Sequence, residues 1–121
     1  MMNLNKKIKM TSHNIRLGKT PGIKYIWKDG ETVIAEFTVF DWWDGKNIEN
    51  LKINPAYRKR GLSYELLDYA VKTLNVNSLA VAKDNHIAKH VYDKYGFKKT
   101  DEDSEYYYMS INPSKVLTDK K

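Results

Sequence analysis

Hydrophobic positions along the chain change period twice. Ile23, Tyr25 and Trp27 alternate with polar neighbours, interrupted only by Ile26, and predict a strand. It ends at Asp29-Gly30, where glycine supplies the positive φ of a tight hairpin turn. Thr32 to Phe40 is rich in β-branched and aromatic residues, a second strand, and Asp44-Gly45 marks another hairpin. Ile48, Leu51 and Ile53 fall on a third strand whose spacing of three, then two, breaks strict alternation and predicts a β-bulge around residues 49–51. After Pro55 the period lengthens. Leu62, Leu66, Leu67, Ala70, Val71 and Leu74 recur at helical spacing as one apolar stripe. Leu79-Ala80-Val81-Ala82 is a continuous apolar run, the pattern of a strand buried on both faces. Ile87, Ala88, Val91, Tyr92 and Tyr95 form a second helical stripe, with Asp84 as its N-cap and Gly96 just past its end. Phe97 and the run Tyr106–Ile111 predict a closing hairpin around the acidic segment 101–105.

Segment 1–22 is polar and weakly patterned. Ile8 and Met10 alternate with lysines and predict at most a short edge strand, and Gly22 after Pro21 marks a turn. The order is β-β-β-α-β-α-β-β, an α/β (α+β) chain with a mixed sheet flanked by helices. One domain over residues 1–112 precedes a polar tail, 113–121.

At 121 residues the chain has room for one small core. Its 41% hydrophobic and 30% charged residues are those of a folded globular protein and argue against disorder. No apolar run approaches the roughly 18 residues of a membrane span. The lysine-rich start, Met1 to Met10, is followed by no apolar segment of the kind a secretory signal needs, so a cytoplasmic protein is expected. The absence of cysteine excludes disulfides, thiolate metal sites and a thiol nucleophile. Lys and Arg outnumber Asp and Glu by 21 to 15, giving +6. That charge favours anionic partners, a phosphorylated small molecule or a nucleic acid, and equally suits a merely soluble surface.

Arg58-Lys59-Arg60-Gly61-Leu62-Ser63 follows a strand and opens a helix. A helix start presents unpaired N–H groups and the positive end of the dipole, and Gly61 lets a ligand approach the backbone closely. The pattern suits a pyrophosphate; an ordinary strand-to-helix turn with exposed cations fits it too. Farther on, Asn85 and Tyr92 lie seven residues apart, two helical turns, and project from nearly the same face.

Taken together, the Arg58–Ser63 turn, the helix, the apolar strand and Asn85…Tyr92-Asp-Lys-Tyr-Gly-Phe resemble the GNAT superfamily of acyl-CoA-dependent N-acyltransferases. The resemblance is strong from Glu49 to Lys98. The family signature Arg/Gln-x-x-Gly-x-Gly/Ala matches at Arg58 and Gly61 and departs at Ser63. It implies a mostly antiparallel sheet, acetyl-CoA as co-substrate, and attack by a primary amine through a tetrahedral intermediate. It places the backbone of Leu51, Lys52 and Ile53 beside the pantetheine arm, at the expected bulge. The N–H groups from Lys59, Arg60, Gly61, Leu62 and Ser63 through Tyr64, with Arg58 beside them, would hold the pyrophosphate. Asn85 would bond the pantetheine, and Tyr92 would protonate the departing thiolate, as a phenol of pKa about 10 can. A core tyrosine is the bland alternative. Many relatives carry a glutamate on the strand that here reads Leu79–Ala82. Glu49 is the substitute candidate for that base, with Glu36 behind it.

Relatives also place two helices between their first two strands, and segment 1–22 is too short and polar for both. An open acceptor groove is expected, suited to a peptide, a protein lysine or N-terminus, or a polyamine. Trp42 and Trp43 flank the Asp44-Gly45 turn on the acceptor side, as a cation platform or simply as packing. His86 and His90, four apart, with Asp93 nearby, point to solvent, and no metal is expected. Two other readings stay open. One is a catalytically silent acyl-CoA-binding or interaction protein, favoured by Ser63 and the missing strand glutamate. The other, a basic nucleic-acid-binding module, lacks any recognisable motif and ranks last. Edge strands such as 106–111 leave homodimer pairing possible in principle.

Overall fold

A computed structural model describes residues 8–42, 45–58 and 61–112. In chain order the elements are β1 (Ile8–Leu17), β2 (Thr20–Asp29), β3 (Thr32–Trp42), β4 (Gly45–Ile53), α1 (Leu62–Lys72), β5 (Ser78–Ala82), α2 (His86–Tyr95), β6 (Lys98–Glu102) and β7 (Tyr106–Ser110). The strands make one sheet of order β1-β2-β3-β4-β5-β7-β6, so β7 pairs on both sides with β5 and β6 and is not the edge strand expected of 106–111. Every pair is antiparallel except β4–β5, which is parallel because α1 carries the chain back between them. The mixed, mostly antiparallel sheet flanked by helices is thus the fold expected from the sequence.

The upstream segment differs from expectation. β1 is a full ten-residue strand paired along its length with β2, not a short edge strand. Its alternation is hard to read because only Ile8 and Ile15 are half-buried, while the rest is exposed. The turn lies at Gly18 (φ +62), and Pro21-Gly22 sits inside β2. Gly22 is needed there for space: a Cβ would come 2.6 Å from the Phe40 ring, which lies across it.

Both helices join one core with Phe37, Val39, Ile48, Leu79 and Val81, so they cover the same face of the sheet. This explains two further corrections. β5 is not buried on both faces: Leu79 and Val81 are buried while Ala80, pointing the other way, is exposed. Ile87 lies off the apolar stripe of α2 and is 82% exposed, leaving Tyr92 and Tyr95 as the buried residues of that helix. The N-cap of α2 is Asn85, not Asp84; its Oδ1 accepts from the Ala88 N–H at 3.2 Å. Gly96 ends the helix at φ +130, its N–H bonding the carbonyls of Tyr92 and Asp93.

Two features shape the centre of the sheet. The expected bulge is present: Thr38 pairs with Glu49 and Glu36 with Lys52, so Asn50 (φ +57) and Leu51 together oppose Phe37. At the start of β4, Asn77 clamps β5 alongside. Its Oδ1 accepts from the Lys46 N–H and its own N–H donates to the Lys46 carbonyl, both at 3.0 Å.

Candidate active site

β4 and β5 pair only at Asn47–Ser78 and Ile48–Leu79. Beyond those two positions β4 stays with β3 on one side, through Lys52 and Ile53. Likewise β5 stays with β7, through Val81 and Ala82. The facing edges, residues 49–53 of β4 and 80–82 of β5, have no strand partner across the gap among the described residues. The sheet opens as a V whose closed end is Ile48–Leu79. Backbone N–H and C=O groups along both arms are available to an extended ligand, as at any unpaired strand edge. Leu51, Lys52 and Ile53 all lie on one arm of this opening.

The open end leads to the turn before α1. Asn54 anchors it, with its N–H donating to the Ile34 carbonyl (2.7 Å), its Nδ2 to the Val33 carbonyl (3.1 Å) and its Oδ1 accepting from the Ala56 N–H (2.9 Å). A single 3-10 turn, Pro55–Tyr57, follows. Arg58 then folds back, Nε donating to the Ile53 carbonyl at 3.0 Å. This fastens the basic turn to the end of the β4 arm. Lys59 and Arg60 lie outside the described residues. Gly61 caps α1 at φ +75 with no side-chain hydrogen bond, and a Cβ there would meet nothing within 4 Å. The first turn of α1 thus starts at Leu62 without a side-chain cap from Gly61 and with the positive end of the helix dipole. That is the chemistry of an anion site.

Glu49 is the first β4 residue past the closed end of the V. It is half-buried and points to the face away from the helices, with Thr38 and Asn47. Its Oε2 accepts from Asn47 Nδ2 at 2.9 Å. Glu36, the other candidate, pairs with Lys24 at 3.7 Å, so a cation already engages it. Asn85, exposed, commits Oδ1 to its own helix and keeps its amide NH2 for an outside acceptor.

Tyr92 is 9% exposed, its ring edge-on to Phe97 with centroids 6.2 Å apart. Burial pushes the phenol above its usual pKa, so it is protonated at neutral pH. Its hydroxyl has no hydrogen bond among the described residues, yet no fully buried polar side-chain atom there lacks a partner. The hydroxyl therefore keeps some exposure to solvent.

Several residues that matter here are not singled out by sequence alone. Tyr95 packs between Tyr64 (4.8 Å) and Phe97 (6.1 Å), and its hydroxyl donates to Asp68 Oδ1 at 2.8 Å. Asp68 in turn pairs with Lys72 at 3.1 Å. A chain of rings, Tyr64–Tyr95–Phe97–Tyr92, thus connects the α1 start to Tyr92. Asn47 and Ser78 bridge the closed end of the V. The only hint in the sequence is a polar residue next to the apolar Ile48 and Leu79.

Trp42 ends β3 and is exposed; Trp43 lies outside the described residues. His86 and His90 are exposed, and Asp93 bonds Lys89 at 2.7 Å. Among the described residues no three His, Cys, Asp or Glu side chains group as metal ligands. No helix there is long and apolar enough to cross a membrane.

A single sheet parted between two parallel strands, with an uncapped helix start at its open end, is the architecture of an acyl-transfer domain. The chain belongs to the acetyltransferase (GNAT) family, whose model matches residues 5–97. Solved structures share the fold. A spermidine N-acetyltransferase SpeG variant from Vibrio cholerae superposes with a TM-score of 0.69 at 14% identity, covering 97% of this chain and all of that one. The Campylobacter jejuni N-acetyltransferase PseH, in complex with acetyl coenzyme A, gives 0.59 at 26% identity over 75% of this chain and 67% of its own. The chain matches no curated protein.

Proposed function

We propose that this protein transfers the acetyl group of acetyl-CoA to a primary amine. One observation carries the reading: the parted β4–β5 pair has a carboxylate, Glu49, at its closed end and the uncapped α1 start at its open end. A pantetheine arm laid along Leu51, Lys52 and Ile53 would put its pyrophosphate at Gly61–Tyr64 and its thioester near Glu49. PseH, a similar fold, is solved with acetyl coenzyme A.

The roles follow from the chemistry. Glu49, directly or through a water, takes a proton from the acceptor ammonium, freeing the amine lone pair to attack the thioester carbonyl. The tetrahedral intermediate collapses, the C–S bond breaks, and Tyr92 gives its proton to the departing thiolate. The nitrogen gives up its second proton as the intermediate collapses, that proton returns through solvent to Tyr92, and Glu49 releases the first to solvent. Asn85 NH2 would bond the pantetheine.

The acceptor enters from the side of β1–β3. β1 and β2 are joined by a tight turn at Gly18-Lys19, so among the described residues no helix between them walls this side. It suits an amine on a flexible chain: a peptide or protein lysine, an N-terminus, or a polyamine such as the spermidine named for SpeG.

The test is thiol release from acetyl-CoA with a panel of spermidine, lysine peptides and amino sugars. The chain has no cysteine, so the signal is CoA alone. Turnover with at least one amine supports the reading. Tight binding without turnover on any of them would make it a silent acyl-CoA-binding protein.

A further inference from the structure

Across the closed end of the V run three polar side chains in series. Ser78 Oγ donates to Asn47 Oδ1 at 3.0 Å, and Asn47 Nδ2 donates to Glu49 Oε2 at 2.9 Å. Asn47 and Ser78 are also the first of the two residue pairs that join β4 to β5, so the series crosses the junction from which the strands part. Asn47 is one of two buried polar residues of the molecule's described part, at 9% exposure. An amide has a donor end and an acceptor end, and here both are specified. The carboxylate of Glu49 only accepts, so it fixes the NH2 on its own side and leaves Oδ1 on the β5 side, where the Ser78 hydroxyl donates to it. With the amide reversed, its oxygen would face the carboxylate and its NH2 the hydroxyl. The hydroxyl has a second, longer acceptor in the Lys46 carbonyl at 3.4 Å, a backbone group of the same junction.

We propose that Ser78 and Asn47 are positioning residues that aim the Glu49 carboxylate at the acceptor amine. The inference rests on the assignment of Glu49 as the base. Ile48 between Asn47 and Glu49 is buried in the core and paired on both sides, with Val39 and Leu79, so the backbone beneath the series is held by both neighbouring strands. Glu49 itself is followed by the bulge at Asn50, where the backbone leaves regular strand geometry. Without the Asn47 bond the carboxylate would be held only from that irregular side. A base misplaced by a fraction of an ångström loses rate, not substrate affinity. The missing strand glutamate thereby has a structural replacement: a carboxylate on the neighbouring strand, aimed by a bond across the junction.

The decisive experiment is a double-mutant cycle in kcat between Asn47→Ala and Glu49→Gln, with Ser78→Ala and Ser78→Thr beside it. Asn47→Ala is expected to lower kcat about tenfold, as loss of one hydrogen bond to a charged group does, with the KM for acetyl-CoA within twofold. In the Glu49→Gln background the same change should cost less than twofold, because no base remains to aim. Ser78→Ala should lower kcat by about threefold, and Ser78→Thr, which keeps the hydroxyl, should restore it. A purely structural role would lower kcat equally in both backgrounds, and that outcome overturns the proposal, as does Asn47→Ala at parental kcat. Should Asn47→Ala fail to fold, the Ser78 pair in both Glu49 backgrounds decides alone. If Glu49→Gln itself keeps parental kcat, the base assignment falls; if Glu49→Gln is impaired while Asn47→Ala is not, only the aiming role falls.

Discussion

The hydroxyl of Tyr95 in α2 donates to Asp68 Oδ1 in α1 at 2.8 Å, the one side-chain hydrogen bond described between the two helices. α2 carries Tyr92 and is capped by Asn85, and α1 begins after Gly61, so this bond sets the two halves of the proposed site against each other. Tyr95→Phe keeps the ring packing and leaves Asp68 with Lys72. It should cost about 1–1.5 kcal/mol, the usual worth of such a bond. Thermal unfolding should show a drop of roughly 5 °C.

Alkaline pH should weaken the fold through the same residue. Tyr95 and Tyr92 both titrate above the usual 10.0, burial being the main cause and, for Tyr95, the Asp68 carboxylate adding to it. Below pH 10 the phenols are protonated in both folded and unfolded chains, and their contribution is intact. Above it the unfolded phenols ionise while the buried ones do not, so stability falls as pH rises. The midpoint of unfolding followed from pH 8 to 11 should fall less steeply above pH 10 in Tyr95→Phe than in the parent.

Gly45 tests the clamp at the closed end. Its φ is +150, and a Cβ there would lie 2.4 Å from the Asn77 amide that holds Lys46. Gly45→Ala must strain the backbone or push Asn77 away. A loss of about 2 kcal/mol, seen as a lower urea midpoint at unchanged slope, is expected. A neutral result would mean that β5 is not held there.

Tyr92→Phe removes a hydroxyl that keeps some exposure to solvent and leaves the Phe97 contact in place. Stability should stay within about 0.5 kcal/mol. Turnover should fall about 10²–10⁴-fold, the usual worth of a positioned proton donor. Unfolding and single-turnover measurements on the same preparation separate the two effects.

Much of this was legible in the chain because local chemistry agrees with the fold. The spacing of Ile48, Leu51 and Ile53 reports the bulge, since an extra residue must shift the apolar side chains by one. Gly61 and Gly96 mark helix ends because both adopt positive φ. Other elements resisted for physical reasons. β1 is an edge strand exposed on both faces, so burial imposes no alternation on it. Gly22 looked like a turn because glycine serves close packing as well as turns, and only the Phe40 ring tells which. The Ser78–Asn47–Glu49 series joins residues 31 apart in sequence at its first bond, and nothing local announces it.

The most direct test of the central claim is binding of acetyl-CoA, by thermal shift, against CoA, ATP and a generic oligonucleotide. At a hundred times its dissociation constant a ligand adds about 2.7 kcal/mol to stability, a rise of roughly 10 °C for a chain this size. A rise of that order with acetyl-CoA and CoA, absent with ATP and the oligonucleotide, is the expected result. No rise with acetyl-CoA at millimolar concentration would contradict the account, because the parted strands and the open α1 start would then hold no such ligand.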